Sequence, residues 1–322
     1  MHRVPLAELD CTPYSQKQDN HAPVDRLDFH LDTSRLFRVR SGKAVAREIV
    51  ETPIIRIEPP KRWEALNLEE LKNYRDLFFF LVWRDIKALY AQTVLGFSWA
   101  IINPLVQLVI FTIIFGKVAK IETDGIPYTL FTAVAIIPWT YMSGAMTSSA
   151  QSLVAGQNML GKIYFPRLIF PITPVLAKLV DFSISLILLI GILIFYGVTP
   201  TLNLLLLPVF LLMMIAVPMT VGMWLSSLAI RFRDVRFAMG FAISMLMYSA
   251  PIVYSASAIP DEYRLIYAFN PIVGVIEGYR SVLLGSEIPW NYIVPGICVN
   301  VLLLVSGAIY FRRMERVIVD VI

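Results

Sequence analysis

The chain is 322 residues long, 57% hydrophobic and only 16% charged, with a mean hydropathy of +0.65; ordinary soluble domains carry more charge and fewer apolar residues. Composition therefore points to an integral membrane protein, and a formal net charge of +4 is too small to argue for nucleic acid, so the basic residues matter through their positions. Cys11 and Cys298 stand far apart without metal-ligand or redox spacing and read as unpaired thiols.

Residues 1–60 are rich in Asp, Arg, His and Pro, with no apolar stretch and no secretory h-region. Such a segment buries too little apolar surface to offset chain entropy. A polar, largely disordered cytoplasmic extension is predicted, with short pieces that order on a partner, and a structured regulatory role is the alternative; residues 61–322 are predicted to form the membrane domain. Within 66–92, Leu71, Tyr74, Phe78, Leu81 and Val82 recur at helical spacing beside Glu70, Lys72, Arg75, Asp76, Arg84 and Asp85. That pattern predicts an N-terminal amphipathic helix in the cytoplasmic interface, and the solvated start of the first span is the competing reading.

A helix needs about 20 mainly apolar residues to cross the hydrocarbon core. Six runs qualify, at 94–115, 128–150, 172–196, 204–230, 237–257 and 292–311, so the predicted fold class is all-α with six transmembrane helices. Along the first, Gln92, Gly96, Trp99, Asn103, Gln107 and Phe111 recur at helical spacing and share one face. Lipid does not tolerate that face. It either binds other helices as polar glue or lines a wet conduit, and the aromatic pair favours the conduit because glue does not require it.

After the second span, the run GQNMLGK at 156–162 imitates a phosphate-binding loop, but Ile163 stands where Mg²⁺ needs a hydroxyl ligand. It also sits in a turn between two spans instead of joining a strand to a helix, so nucleotide binding by this chain is not expected. The third span contains Lys178 and Asp181, and Pro166, Pro171 and Pro174 break its approach. Three apart on one helix, the two charges neutralise each other; a coupling-ion site is the sharper alternative. In the fifth span Phe237, Phe241, Met245 and Tyr248 recur at helical spacing, with Gly240 and Ser244 on an adjacent strip and Tyr254 beyond. Aromatic faces stack on the C–H faces of sugar rings, which suits a polymer that slides, while ordinary packing explains the same stripe.

Residues 258–291 hold Pro260, Pro271, Gly274, Gly278, Gly285 and Pro289 among apolar residues, too broken to cross and too apolar for a free loop. They are predicted to be re-entrant helices on the outer side, capping or lining a pathway. Glu277 and Arg280 within them are taken first as a structural pair. Orientation follows from the basic residues: Arg75, Arg84, Lys87, Lys162, Arg167, Arg231, Arg233, Arg236, Arg312, Arg313 and Arg316 fall on one side, against Lys117, Lys120, Arg264 and Arg280 on the other. Both termini are therefore predicted to be cytoplasmic. His2, His21 and His30 all lie in the extension, and neither a metal-ligand cluster nor a G-x-S-x-G motif appears, so the chain itself is predicted to be neither an enzyme nor a cofactor binder.

Several stretches resemble the permease subunits of type-2 ATP-binding-cassette exporters of O-antigen, capsular polysaccharide and teichoic acid. They are WRDIKALYAQTVLGFSWAIINPL at 83–105, IPWTY at 137–141, LGKIYFPRLIFP at 160–171, RFRDVR at 231–236, NPIVGVIEGYRSVLLG at 270–285 and FRRMERVIVDVI at 311–322. The resemblance spans about residues 65–322 in family order. It implies a homodimer in the bacterial inner membrane, joined to two separate ATPase subunits that bind ATP and Mg²⁺, exporting a lipid-linked polysaccharide from cytoplasm to periplasm. It also implies a conduit between the two copies, lined partly by the first and fifth spans, and ATPase contacts made by the helix around Arg84 and Asp85 and by the loop 161–167. In that loop Lys162, Tyr164 and Arg167 offer charge and a rigid aromatic anchor, and Pro166 stiffens the segment. Export of a drug or small glycolipid is the rival cargo. An ion-driven secondary transporter needs matching broken helices in two inverted halves, and only one broken region is present.

Overall fold

The structure, a computed structural model, describes residues 72–91, 93–160 and 165–321. The polar extension and the candidate residues Gln92, Lys162 and Tyr164 lie outside the described residues.

The described elements are helical throughout. They are α1 (Arg75–Tyr90), α2 (Trp99–Phe111) continuing as a π-helical stretch (Thr112–Val118), α3 (Tyr128–Ala155), α4 (Ile169–Ala177), α5 (Leu179–Phe195), α6 (Leu207–Arg231), α7 (Arg233–Tyr248), α8 (Asp261–Ala268), α9 (Pro271–Leu284) and α10 (Trp290–Val321). Five stretches are long and apolar enough to cross a membrane: Gly96–Val118, Tyr128–Met159, Ile169–Phe195, Leu202–Arg231 and Trp290–Glu315. They match the expected first, second, third, fourth and sixth spans.

The stretch expected as the fifth span differs. It folds as α7, which has 16 residues and at 1.5 Å per residue reaches about 24 Å, against a hydrocarbon core of about 30 Å. The chain turns after Tyr248, and Pro251, three residues on, has no N–H to continue the helix and disfavours the helical conformation in the residue before it. The third span is also interrupted, because Lys178 sits in a turn between α4 and α5.

Helix α3 is the axis of the bundle, with Ala133 to Ile136 fully buried and α2, α4, α5, α6, α7 and α9 packed around it. Close approach depends on missing side chains. A Cβ on Gly222 of α6 would lie 1.8 Å from Ser149 Oγ of α3, and one on Gly278 of α9 would lie 2.1 Å from the Phe210 ring of α6. Small residues that let helices touch are the usual device where lipid removes the hydrophobic drive between them.

The broken region 258–291 contains two short helices. Asn270 caps α9, its side chain accepting from the Ile272 amide, with Pro271 in the first turn and Gly285 at φ 74° closing the end. α9 is almost wholly buried, and its Arg280 lies 2.5 Å from Glu277, donates to the Pro251 carbonyl at 2.8 Å and sits 3.6 Å from the centre of the Phe131 ring. Arg280 thus satisfies the Pro251 carbonyl in the turn after α7 and, through the Phe131 ring, ties α9 to α3. At the other end, α10 has 32 residues, about 48 Å of helix, which exceeds the roughly 30 Å of hydrocarbon, so its last turns extend past the span.

Candidate functional site

Three features can do something beyond holding the bundle together. The first is the aromatic stripe. Phe237 is 85% exposed and Phe241 69%, with Met245 and Tyr248 exposed on the same side of α7, while Met239 and Ile243 on the opposite side are buried. Tyr254 stands at the end of the stripe, its hydroxyl donating to the Tyr248 carbonyl at 3.1 Å and accepting from Tyr267 at 3.2 Å. The single chain therefore leaves the stripe uncovered. Both α2 and α7 pack on α3, α2 also on α5 and α7 also on α6, and on the polar face of α2 Trp99 and Asn103 are exposed while Gln107 and Phe111 are half-buried.

The second feature is a cavity of about 300 Å³ where the end of α1, α2, α3 and the start of α5 meet. Trp99 and Asn103, two of the expected conduit residues, line it, whereas Gln107 and Phe111 are not among its lining and Phe111 packs edge-on against Phe115 at 5.5 Å. Lys178 and Asp181 also line it, their charges 2.8 Å apart. Tyr90, the last residue of α1, donates its hydroxyl to the other Asp181 oxygen. Burial first, then that bond and the carboxylate charge, push the Tyr90 phenol above its ordinary value, so it stays protonated and keeps donating. Lys178 and Asp181 are visible in the sequence as a pair, whereas Tyr90 lies 91 residues from Asp181 and gives no periodic signal.

The third feature joins the elements expected to meet an ATPase. Leu81 of α1, Leu153 of α3, Phe165 and Phe170 around the start of α4, and Phe311 of α10 share one buried apolar cluster. Arg167 donates from its guanidinium to the Glu315 carbonyl at 2.9 Å, so this loop is held on α10 as well. Pro166 beside it is half-buried. Arg84 bonds its neighbour Asp85 at 2.8 Å on the surface of α1. Phe165 reads in the sequence as one more apolar residue in an apolar segment, yet it is buried in this cluster and, with Arg167, holds the described end of the loop.

Among the described residues no group of three or more potential metal ligands comes together. Gly156 of the phosphate-loop look-alike follows helix α3, and a Cβ there would lie 2.2 Å from the Phe170 ring, so packing accounts for that glycine.

The sequence of residues 76–284 matches the family of ABC-2 type transporters. The chain is 28% identical over 224 residues to an O-antigen export system permease protein RfbA of Myxococcus xanthus, covering 69% of this chain and 85% of that protein. Similarity to an RfbA of Klebsiella pneumoniae is 26% over 241 residues, 74% of this chain and 92% of the relative. The polysialic acid transport protein KpsM of Escherichia coli is 22% identical over 247 residues, 73% and 92% of the two chains.

Proposed function

Since the chain belongs to the ABC-2 type transporter family, we propose that it is the membrane-spanning permease of an ATP-driven exporter whose cargo is a lipid-linked polysaccharide of the O-antigen or capsule kind. The observation that carries this is its similarity, over most of the chain, to O-antigen export permeases and to a polysialic acid transport protein.

Two copies enclose the passage in the bacterial inner membrane, with α2 and α7 supplying facing walls, and the exposed stripe Phe237, Phe241, Met245 and Tyr248 is what such a wall requires. Gln92, Trp99, Asn103, Gln107, Phe111 and Tyr254 complete the lining. α7 and the turn after it together make the fifth of six crossings, and α8 and α9 re-enter from the outer side. Both termini face the cytoplasm, where the basic residues cluster.

Two separate ATPase subunits bind ATP and Mg²⁺. When they close, they push on α1 near Arg84 and Asp85 and on the loop holding Lys162, Tyr164, Pro166 and Arg167. Leu81 and Phe165 share one cluster with Phe311, so these elements move together and part the two permease copies. Arg75, Arg84 and Lys87 gather anionic head groups first. Co-purification of the chain with its ATPase, followed by mass spectrometry of the bound lipid, tests the proposal: a lipid-linked glycan is expected, and a purified complex holding only phospholipid contradicts it.

A further inference from the structure

We propose that the cavity between α1, α2, α3 and α5 is a subsite for one uncharged sugar ring of the cargo, an inference that rests on the export reading above. Its volume of about 300 Å³ lies at the small end of the range for ligand pockets, about 300–1,000 Å³. One ring fits; a head group with its chains does not.

The charges select against the other guests. Lys178 and Asp181 stand 2.8 Å apart and cancel, so an anion such as phosphate gains no net attraction and meets the Asp181 carboxylate. An acyl chain would strip water from the ion pair and from Asn103 without returning hydrogen bonds. A polyol brings donors and acceptors and no net charge.

The remaining polar groups define where it is held. Thr140 donates to the Ile136 carbonyl, Tyr141 to that of Val175 and Ser185 to that of Ala100, so these hydroxyls already spend their protons on backbone. Among the described residues Asn103 makes no hydrogen bond, leaving an amide oxygen and two N–H groups for a guest. Lys178 uses one donor on Asp181 and keeps two. Trp99, half exposed, offers a ring face for C–H stacking.

The test uses the complex with its ATPase subunits in lipid nanodiscs, with Cys11→Ser and Cys298→Ser and a reporter thiol from Thr140→Cys. Gly144→Cys is a second reporter, because a Cβ there would meet the Lys178 side chain at an ordinary 3.9 Å. The rate of labelling by N-ethylmaleimide is measured with methyl glycosides of neutral hexoses or with inorganic phosphate. Glycosides at twice their dissociation constant should slow labelling about threefold, phosphate should leave it unchanged, and Asn103→Ala should abolish the protection. Unprotected labelling at both reporters, protection by phosphate, or protection that survives Asn103→Ala overturns the subsite. Labelling requires no transport, whereas failure of the export reading would show as normal surface glycan in cells lacking the chain, so the two failures are distinguishable.

Discussion

Arg280 is 5% exposed and holds Glu277, the Pro251 carbonyl and the Phe131 ring at once. Removing one partner of such a pair strands the other charge, at a cost of about 3–5 kcal/mol. Arg280→Met should therefore lower the unfolding temperature of the detergent-solubilised protein sharply, and adding Glu277→Met should restore part of the loss; a double variant less stable than the single would contradict this. The stripe on α7 behaves oppositely. Phe241→Ala and Tyr248→Ala remove exposed rings, so protein level should hold while surface polymer falls several-fold, measured by immunoblot and glycan staining of the same cells. Equal loss of protein would assign the rings to packing instead. This stripe was legible in the sequence because four residues at helical spacing need no tertiary information. The Tyr90–Asp181 bond was not, since only the fold brings α1 to the break in the third span.

Helices succeed or fail here on close approach and on where backbone donors run out. Ser149 cannot swing away from Gly222, because its hydroxyl donates to the Pro171 carbonyl at 2.5 Å. Gly222→Ala should thus force α3 and α6 apart, at a cost of about 1–3 kcal/mol, seen as a lower yield of monodisperse protein on size exclusion. Gly240→Ala, where a Cβ meets nothing within 4 Å, should leave the yield unchanged. The amphipathic helix read at 66–92 is found as α1 at Arg75–Tyr90, and five spans emerge from apolar length alone. Counting apolar residues is blind to a missing N–H, however, and so the run 237–257 reads as one helix although the helix stops at Tyr248, ahead of Pro251. The burial of Glu277 and Arg280 was equally hidden, because their partners come from α3 and from the turn after α7.

For the molecule as a whole, the proposed function requires a path by which motion at α1 and the loop before α4 reaches the spans. One apolar cluster joins α1, α3, α4 and α10, and Tyr90 ties α1 to α5 through Asp181. Phe165→Ala should uncouple the complex, with ATP hydrolysis retained and export reduced several-fold. Reversing the charge of both Arg84 and Lys87 should weaken the stimulation of ATPase activity by cargo in proteoliposomes; unchanged stimulation would remove the proposed role of that rim. The proposed passage between two copies is tested most directly by reconstituting the chain with the proposed ATPase and loading lipid-linked glycan on the nucleotide side. With ATP, glycan should become accessible to a glycosidase confined to the opposite side, and neither a non-hydrolysable nucleotide nor Phe241→Ala should support normal transfer. Steady ATP turnover with no glycan ever reaching the enzyme would contradict it.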